Sequence, residues 1–337
     1  MRHKKKKPES RLSWLLYALL IALILLYAVL QNAVVGFAAL LLIIMILIFE
    51  VRTSVATEGA RKSLIDMIAA GGAAIVFWIA LTVALRTSSP IDAVSSCSML
   101  PALHRGDLVV LRGLDSISSF ISSMHVPVVN VSASAFARMQ GNMSDEFLTY
   151  FAYLNGNKSD ISFNFTSGER YGIALYNVAC ISRDTYYGKT GEIANCTVPQ
   201  QAQQNNLIRY AYSIGNQSVG GKMLREVYTS QITVGNTTLS ENYSNPIIVY
   251  QTTSKDSFTG SVIHRLYAVL NVSGQYYFLT KGDNNPALDI EFGNYPANES
   301  AVLGYVIADI PVAGYVKLLL SGQIGTPQGC GSVLSAR

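Results

Sequence analysis

Three apolar stretches near the N-terminus, Leu15 to Leu30, Val34 to Phe49 and Ile65 to Leu85, constrain this chain more than any other feature. Each approaches the roughly 20 residues that a helix needs to cross a hydrocarbon core, and no later stretch is as long. Half of the 337 residues are hydrophobic and only 14% are charged, a balance foreign to most water-soluble domains. A cleavable leader would need a small-residue cleavage site after the first stretch. None is present there, and a second apolar run begins within a few residues, so three retained anchors are expected.

Basic residues give the orientation. "MRHKKKK" and Arg11 precede the first span, and Arg52, Arg61 and Lys62 lie between the second and third. Lys and Arg flanking a span favour the cytoplasmic side, so "QNAV" turns outside and everything after Arg86 lies outside as well. The basic tail read alone would also suit nucleic acid, but beside a span it is a topology signal and no nucleic-acid partner is expected.

Beyond Gly113 the chain becomes rich in Ser, Asn, Tyr and Gly. Ten Asn-x-Ser/Thr sequons fall there, at Asn130, Asn142, Asn157, Asn164, Asn195, Asn216, Asn236, Asn242, Asn271 and Asn298. Composition alone would give about three. Such sites are used on the translocated side of a membrane, in agreement with the charges; a Ser/Asn-rich surface without glycans is the alternative. Four cysteines, Cys97, Cys180, Cys196 and Cys330, show no zinc spacing. Cys180 and Cys196 are candidates for one disulfide or for two free thiols. No metal or cofactor is implied.

Short runs rich in β-branched and aromatic residues, "LVVL", "PIIVY", "SVIHRLYAVLNV", "QYYFLT" and "AVLGYVIADI", are bounded by Gly, Asn, Pro or Ser and predict a mainly β exterior domain. "SDEFLTYFAYL" from Ser144 has a helical pattern. "IPVAGYVKLLL", residues 310–320, is too short to span and is expected along the membrane surface.

A serine hydroxyl needs a base within reach, and the base needs a third group to orient it. Of the exterior histidines, His104, His125 and His264, the last stands in a strand whose alternation puts Ile263 and His264 on opposite faces. Asp283 and Asp289 lie in the turn-rich "KGDNNPALD" loop after the next strand, the kind of segment that carries functional groups.

Taken in order, "SCSMLPALHRGDLVVL", "VIHR", "FLTKGDNNPALD" and "VLGYVIADIPVAGYV" resemble the type I signal peptidases, in the archaeal and endoplasmic-reticulum branch that uses histidine where the bacterial branch uses lysine. The resemblance covers residues 85–113 and 245–320. It implies Ser98 as nucleophile, His264 as general base, Asp289 as its orienting group and Asp283 as a supporting residue. An oxyanion hole would draw on the Ser98 N–H and the Ser96 hydroxyl. The implied substrates are preproteins bearing signal sequences, bound extended and cut after small residues at a bilayer, with the translocation channel as a further partner. Lys255 and Lys281 are the rival bases. Neither is expected in the apolar strand that a lowered lysine pKa requires.

The expected fold is therefore N-terminal transmembrane helices followed by a mainly β, barrel-like signal peptidase domain with a large α/β or β insertion. The segments are a basic tail (1–12), a helical hairpin (13–50), a cytoplasmic loop (51–64), a third span (65–86), the catalytic domain in two parts (87–113 and 246–320) around an insertion (114–245), and a C-terminal tail (321–337). The expected setting is a plasma membrane with an archaeal envelope outside, though a eukaryotic lumen would carry similar signs. The insertion, Cys97 and the number of anchors depart from the family pattern. Cys97 is expected either to pair with Cys330 or to act as a competing thiol beside His264. An inactive, glycosylated envelope protein that binds rather than cuts is the alternative function. A receptor or transporter subunit fits less well, because the spans carry almost no ionisable groups.

Overall fold

The structure is a computed structural model and describes residues 11–30, 32–141, 202–203, 207–219, 222–253, 260–292, 294–327 and 330–335. The predicted helix from Ser144, the sequons Asn142, Asn157, Asn164 and Asn195, and the Cys180/Cys196 pair lie outside these residues. Of the remaining sequons, Asn130, Asn216, Asn236, Asn242 and Asn298 are exposed, and Asn271 is half-buried.

Three helices lead the chain: α1 (Arg11–Leu30), α2 (Ala33–Glu58) and α3 (Ala60–Leu85). Each contains a window long and apolar enough to cross a membrane. Asn32 lies in the link between the first two helices and caps α2, its side chain accepting from Val34 N–H. The segment 51–64, expected as a loop, is helical on both sides of Gly59, whose φ of 83° makes the break. The reason is local: apart from that glycine the segment holds no strong helix breaker, so the helices run on past the apolar stretches.

The first sheet has the order β1 (Ile91–Ala93), β2 (Leu108–Arg112), β12 (Val302–Ile310), β8 (Ile247–Gln251), β9 (Ser261–Val272), β10 (Gln275–Lys281) and β11 (Ala297–Asn298). Every pairing along this path is antiparallel. β8 pairs with residues 261–265 of β9, and β3 (Val128–Val131) runs parallel to residues 269–272. Two helices, α4 (Ile117–Met124) and α5 (Ala133–Gly141), flank β3. A second sheet places β13 (Ser332–Ser335), β5 (Ile208–Val219), β6 (Lys222–Val234) and β7 (Thr237–Ser240) side by side, with β4 (Ala202–Gln203) against β5.

β9 shows why the two sheets meet here. Its first half alternates, with Val262, His264 and Leu266 buried and Ile263 and Arg265 less so. From Leu266 to Leu270 every side chain is buried, because both faces are covered. Tyr267, Ala268 and Leu270 join a core with Val129, Phe136, Ile208 and Ile232, while Leu266 and Val269 join another with Phe120, Ile248 and Phe278. Residues of the 114–245 segment thus share one core with the strand that carries His264. Burial of each large apolar side chain is worth roughly 1.5–3 kcal/mol, so this shared core ties the second sheet to the first.

A third cluster joins the β domain to the apolar helices. α6 (Tyr315–Leu320) packs Tyr315, Leu318 and Leu319 against Tyr27 and Ala39. The 310–320 stretch is accordingly a short helix seated on α1 and α2. The Tyr27 and Tyr315 rings meet edge-on, 5.1 Å between centroids, and the buried Arg105 guanidinium lies beside both, 5.9 and 5.6 Å from their centroids. Gly106, with φ 91°, passes so close to the Tyr315 ring that a side chain would collide with it.

Candidate active site

The loop between β1 and β2 is closed at its base by two backbone bonds, Val94 N–H to Asp107 O at 2.9 Å and Gly106 N–H to Val94 O at 2.8 Å. Asp107 also accepts from His104 N–H at 2.7 Å, which is how "HRGD" makes its turn. Ser96, Cys97 and Ser98 sit at the tip of this loop, with Ser98 half-buried and Ser96 exposed. The Ser98 Oγ lies 2.9 Å from His264 Nε2 and 3.1 Å from Ser96 Oγ.

On its other side the His264 ring meets Asp289, with Nδ1 2.8 and 2.7 Å from the two carboxylate oxygens. An ionised carboxylate only accepts, so Nδ1 carries the proton and the Nε2 lone pair faces Ser98. Both side chains are almost fully buried, His264 at 4% and Asp289 at 2% exposure. A buried carboxylate needs several donors. Tyr250 OH donates to Asp289 Oδ2 at 2.9 Å and Thr280 Oγ1 at 2.6 Å, one from each strand beside β9.

Asp289 opens a short 3-10 turn, Asp289–Phe292, whose backbone is held from the second sheet. Thr229 N–H donates to Pro286 O at 2.7 Å, and Thr229 Oγ1 donates to the Glu291 carboxylate, which also accepts from Leu288 N–H at 2.8 Å. Close by, burial pushes the Tyr267 phenol far above its ordinary value, reinforced by the Glu241 and Glu291 charges.

The "KGDNN" turn is packed on the loop that carries Ser98. Asn284 N–H donates to Ser98 O at 2.7 Å, and Asn284 Nδ2 donates to Cys97 O at 3.1 Å. Gly282 permits this approach, since a Cβ there would stand 2.7 Å from Ser98 O. Asp283 faces away from Ser98 and forms a bidentate pair with Arg265, at 2.8 and 2.7 Å, which clamps the residue after His264.

One expectation changes at this point and one open alternative closes. Lys281 ends β10 and is buried, contrary to the reading that kept it outside an apolar strand; its ammonium is held by Glu241 at 3.0 Å, so it is no free base. Cys97 forms a disulfide with Cys330, which removes the competing-thiol alternative. Of the other two histidines after the helices, His104 is largely exposed and His125 caps α4. Sequence reasoning missed Tyr250, Thr280 and Asn284, which carry no local signal beyond a strand tyrosine, a strand threonine and a turn asparagine. Among the described residues no group of His, Cys, Asp or Glu is arranged to hold a metal ion.

No family model matches the sequence, and no solved structure matches it. A 63-residue segment is 38% identical to the signal peptidase complex catalytic subunit SEC11 of Verticillium alfalfae. The match covers 18% of this chain and 37% of that protein, so it spans well under half of the relative's length. The similarity supports a relationship to signal peptidases through part of the chain, and with the apolar helices it fits a membrane protein.

Proposed function

We propose that this protein is a membrane-bound serine endopeptidase that removes signal sequences from translocated preproteins, cutting after small residues. The observation that carries the reading is the hydrogen-bonded series Ser98 Oγ, His264 Nε2, His264 Nδ1 and Asp289, which matches the need of a serine nucleophile for an oriented base. The partial similarity to a catalytic subunit of signal peptidase supports the substrate class.

In this mechanism Ser98 Oγ attacks the scissile carbonyl while His264 Nε2 takes its proton, and Asp289 stabilises the resulting imidazolium. The Ser98 N–H and the Ser96 hydroxyl donate to the oxyanion, each such donor being worth about 2.7–4 kcal/mol in comparable sites. The imidazolium then protonates the departing amine, leaving an acyl-Ser98. A water gives its proton to His264 as its oxygen attacks the ester, the bond to Ser98 Oγ breaks as His264 passes that proton to Oγ, and the mature chain's former leader departs as a carboxylic acid. Basic residues at the start of α1 and around Gly59 put those ends in the cytoplasm and the β domain outside. A substrate's apolar helix can then stay in the bilayer beside the anchors while its extended flank reaches Ser98, delivered by the translocation channel.

The test is cleavage of a preprotein by the purified full chain in lipid vesicles, with Ser98→Ala and His264→Ala alongside. Cleavage after a small residue by the parent, with loss in both variants, supports the proposal. An inert parent, or a Ser98→Ala protein as active as the parent, overturns it and leaves the binding-protein alternative.

A further inference from the structure

The C-terminal segment takes no part in the catalytic cycle, yet it touches the loop that carries Ser98, the Asn284 turn packed on it and the first helix. Tyr27 OH, on α1, donates to Ile324 O at 2.6 Å. Arg105 donates to Gln323 O at 2.7 Å and to Gly325 O at 3.0 Å from within the loop that carries Ser98. Cys330 is bonded to Cys97, and two residues later β13 pairs with β5 from Ser332↔Val219 to Ser335↔Asn216. Leu334 N–H donates to Asn284 Oδ1 at 2.7 Å, and Asn284 is the residue that grips Cys97 O and Ser98 O.

We propose that this segment is a strap that positions the nucleophile, and that the Cys97–Cys330 bridge and Asn284 are positioning residues for Ser98. The inference rests on the peptidase reading. A disulfide to a free tail would restrain nothing. Here Cys330 is held from both sides, by Arg105 and Tyr27 upstream and by β13 downstream, so the bridge ties the nucleophile loop to a fixed body. Cys97 stands directly between Ser96 and Ser98, about 3.8 Å from each in Cα spacing, so its restraint acts on the oxyanion donor and the nucleophile together. Asn284 supplies the same restraint through the backbone, and its own side chain is held in place by β13.

Turnover is therefore expected to require the oxidised bridge. A dithiol reductant breaks the Sγ–Sγ bond, delivers two electrons and two protons to give two thiols, and leaves as its own cyclic disulfide. Displacement of a reacting group by about 1 Å costs up to roughly a hundredfold in rate, and substrate binding away from Ser98 is untouched. Reduction should lower kcat by roughly ten- to a hundredfold with KM within about twofold.

The experiment compares the full chain in lipid vesicles before and after dithiothreitol with a Cys97→Ala/Cys330→Ala protein, following preprotein cleavage and counting thiols by mass. The double variant should show the lowered kcat from the start and no further response, which separates this bridge from any effect at Cys180 or Cys196. Hydrogen exchange at the Asn284 and Leu334 amides should speed up by at least about tenfold on reduction, as their partners loosen. The proposal falls if a reduced parent keeps its kcat, if the double variant still loses activity to reductant, or if those amides exchange at unchanged rates. An inert parent sinks the peptidase reading, and the exchange measurement then decides the strap by itself.

Discussion

Replacing Asp289 by asparagine removes one charge and almost no volume, and the surrounding donors dictate what the new amide does. The Tyr250 and Thr280 hydroxyls both point at Oδ2, at 2.9 and 2.6 Å. The amide oxygen is drawn to that position, 2.7 Å from His264 Nδ1, and the NH2 group takes the Oδ1 position, 2.8 Å from the same nitrogen. The neutral amide no longer stabilises the imidazolium, and wherever its NH2 donates to Nδ1 the imidazole proton moves to Nε2 and faces Ser98. That tautomer cannot take the serine proton. The same inversion elsewhere lowers kcat by about 10⁴, which is about 5.4 kcal/mol at 1.36 kcal/mol per tenfold. The two hydroxyl bonds that hold the amide are worth about 1 kcal/mol each. The assay is single-turnover cleavage of a preprotein in lipid vesicles, with a thermal melt to show that the variant folds. An Asp289→Asn protein within tenfold of the parent refutes the reasoning.

Gly282→Ala places a methyl 2.7 Å from Ser98 O and 2.8 Å from the Asn285 side chain. Overpacking of that kind costs about 1–3 kcal/mol, and a lower kcat should accompany a lower melting temperature. Lys281→Met takes the ammonium from the half-buried Glu241; the melting temperature should fall by several degrees, while cleavage per folded molecule stays within a few-fold if histidine is the base. A loss comparable with that of His264→Ala would instead mark the lysine as the base. The Tyr267 phenol keeps its proton in the folded chain beyond the ordinary 10.0, chiefly because it is desolvated. Its contribution to stability is complete below that pH and declines above it, by at most about 1.4 kcal/mol per pH unit. Denaturant titrations at rising pH should show this decline, and Tyr267→Phe should flatten it.

Much of the architecture was legible locally. A span announces itself by length, because the bilayer accepts only a long apolar run, and the five expected strands correspond to β2, β8, β9, β10 and β12. The β5–β6 hairpin escaped that reading although Gly220-Gly221 lies between its paired strands, a turn signal the sequence does carry. Where α2 ends and α3 begins differs from the reading because hydropathy locates the apolar stretch, while helix propensity and Gly59 locate the helix.

The sequence by itself determined the three apolar helices, the mainly β character of the domain after them and a short set of candidate groups, because each is written in a local stretch of residues. Tertiary structure alone decided what surrounds those groups. Tyr250 reaches Asp289 across 39 residues, Asn284 reaches Cys97 across 187, and Cys330 reaches Cys97 across 233. A tyrosine in a strand or an asparagine in a turn looks the same whether it faces solvent or a buried carboxylate. The difference arises only when β8 and β10 pair on either side of β9 and the C-terminal strand closes on β5. Those pairings set the donors around Asp289 and the hold on Ser98, since buried polar groups must find partners wherever the fold brings them.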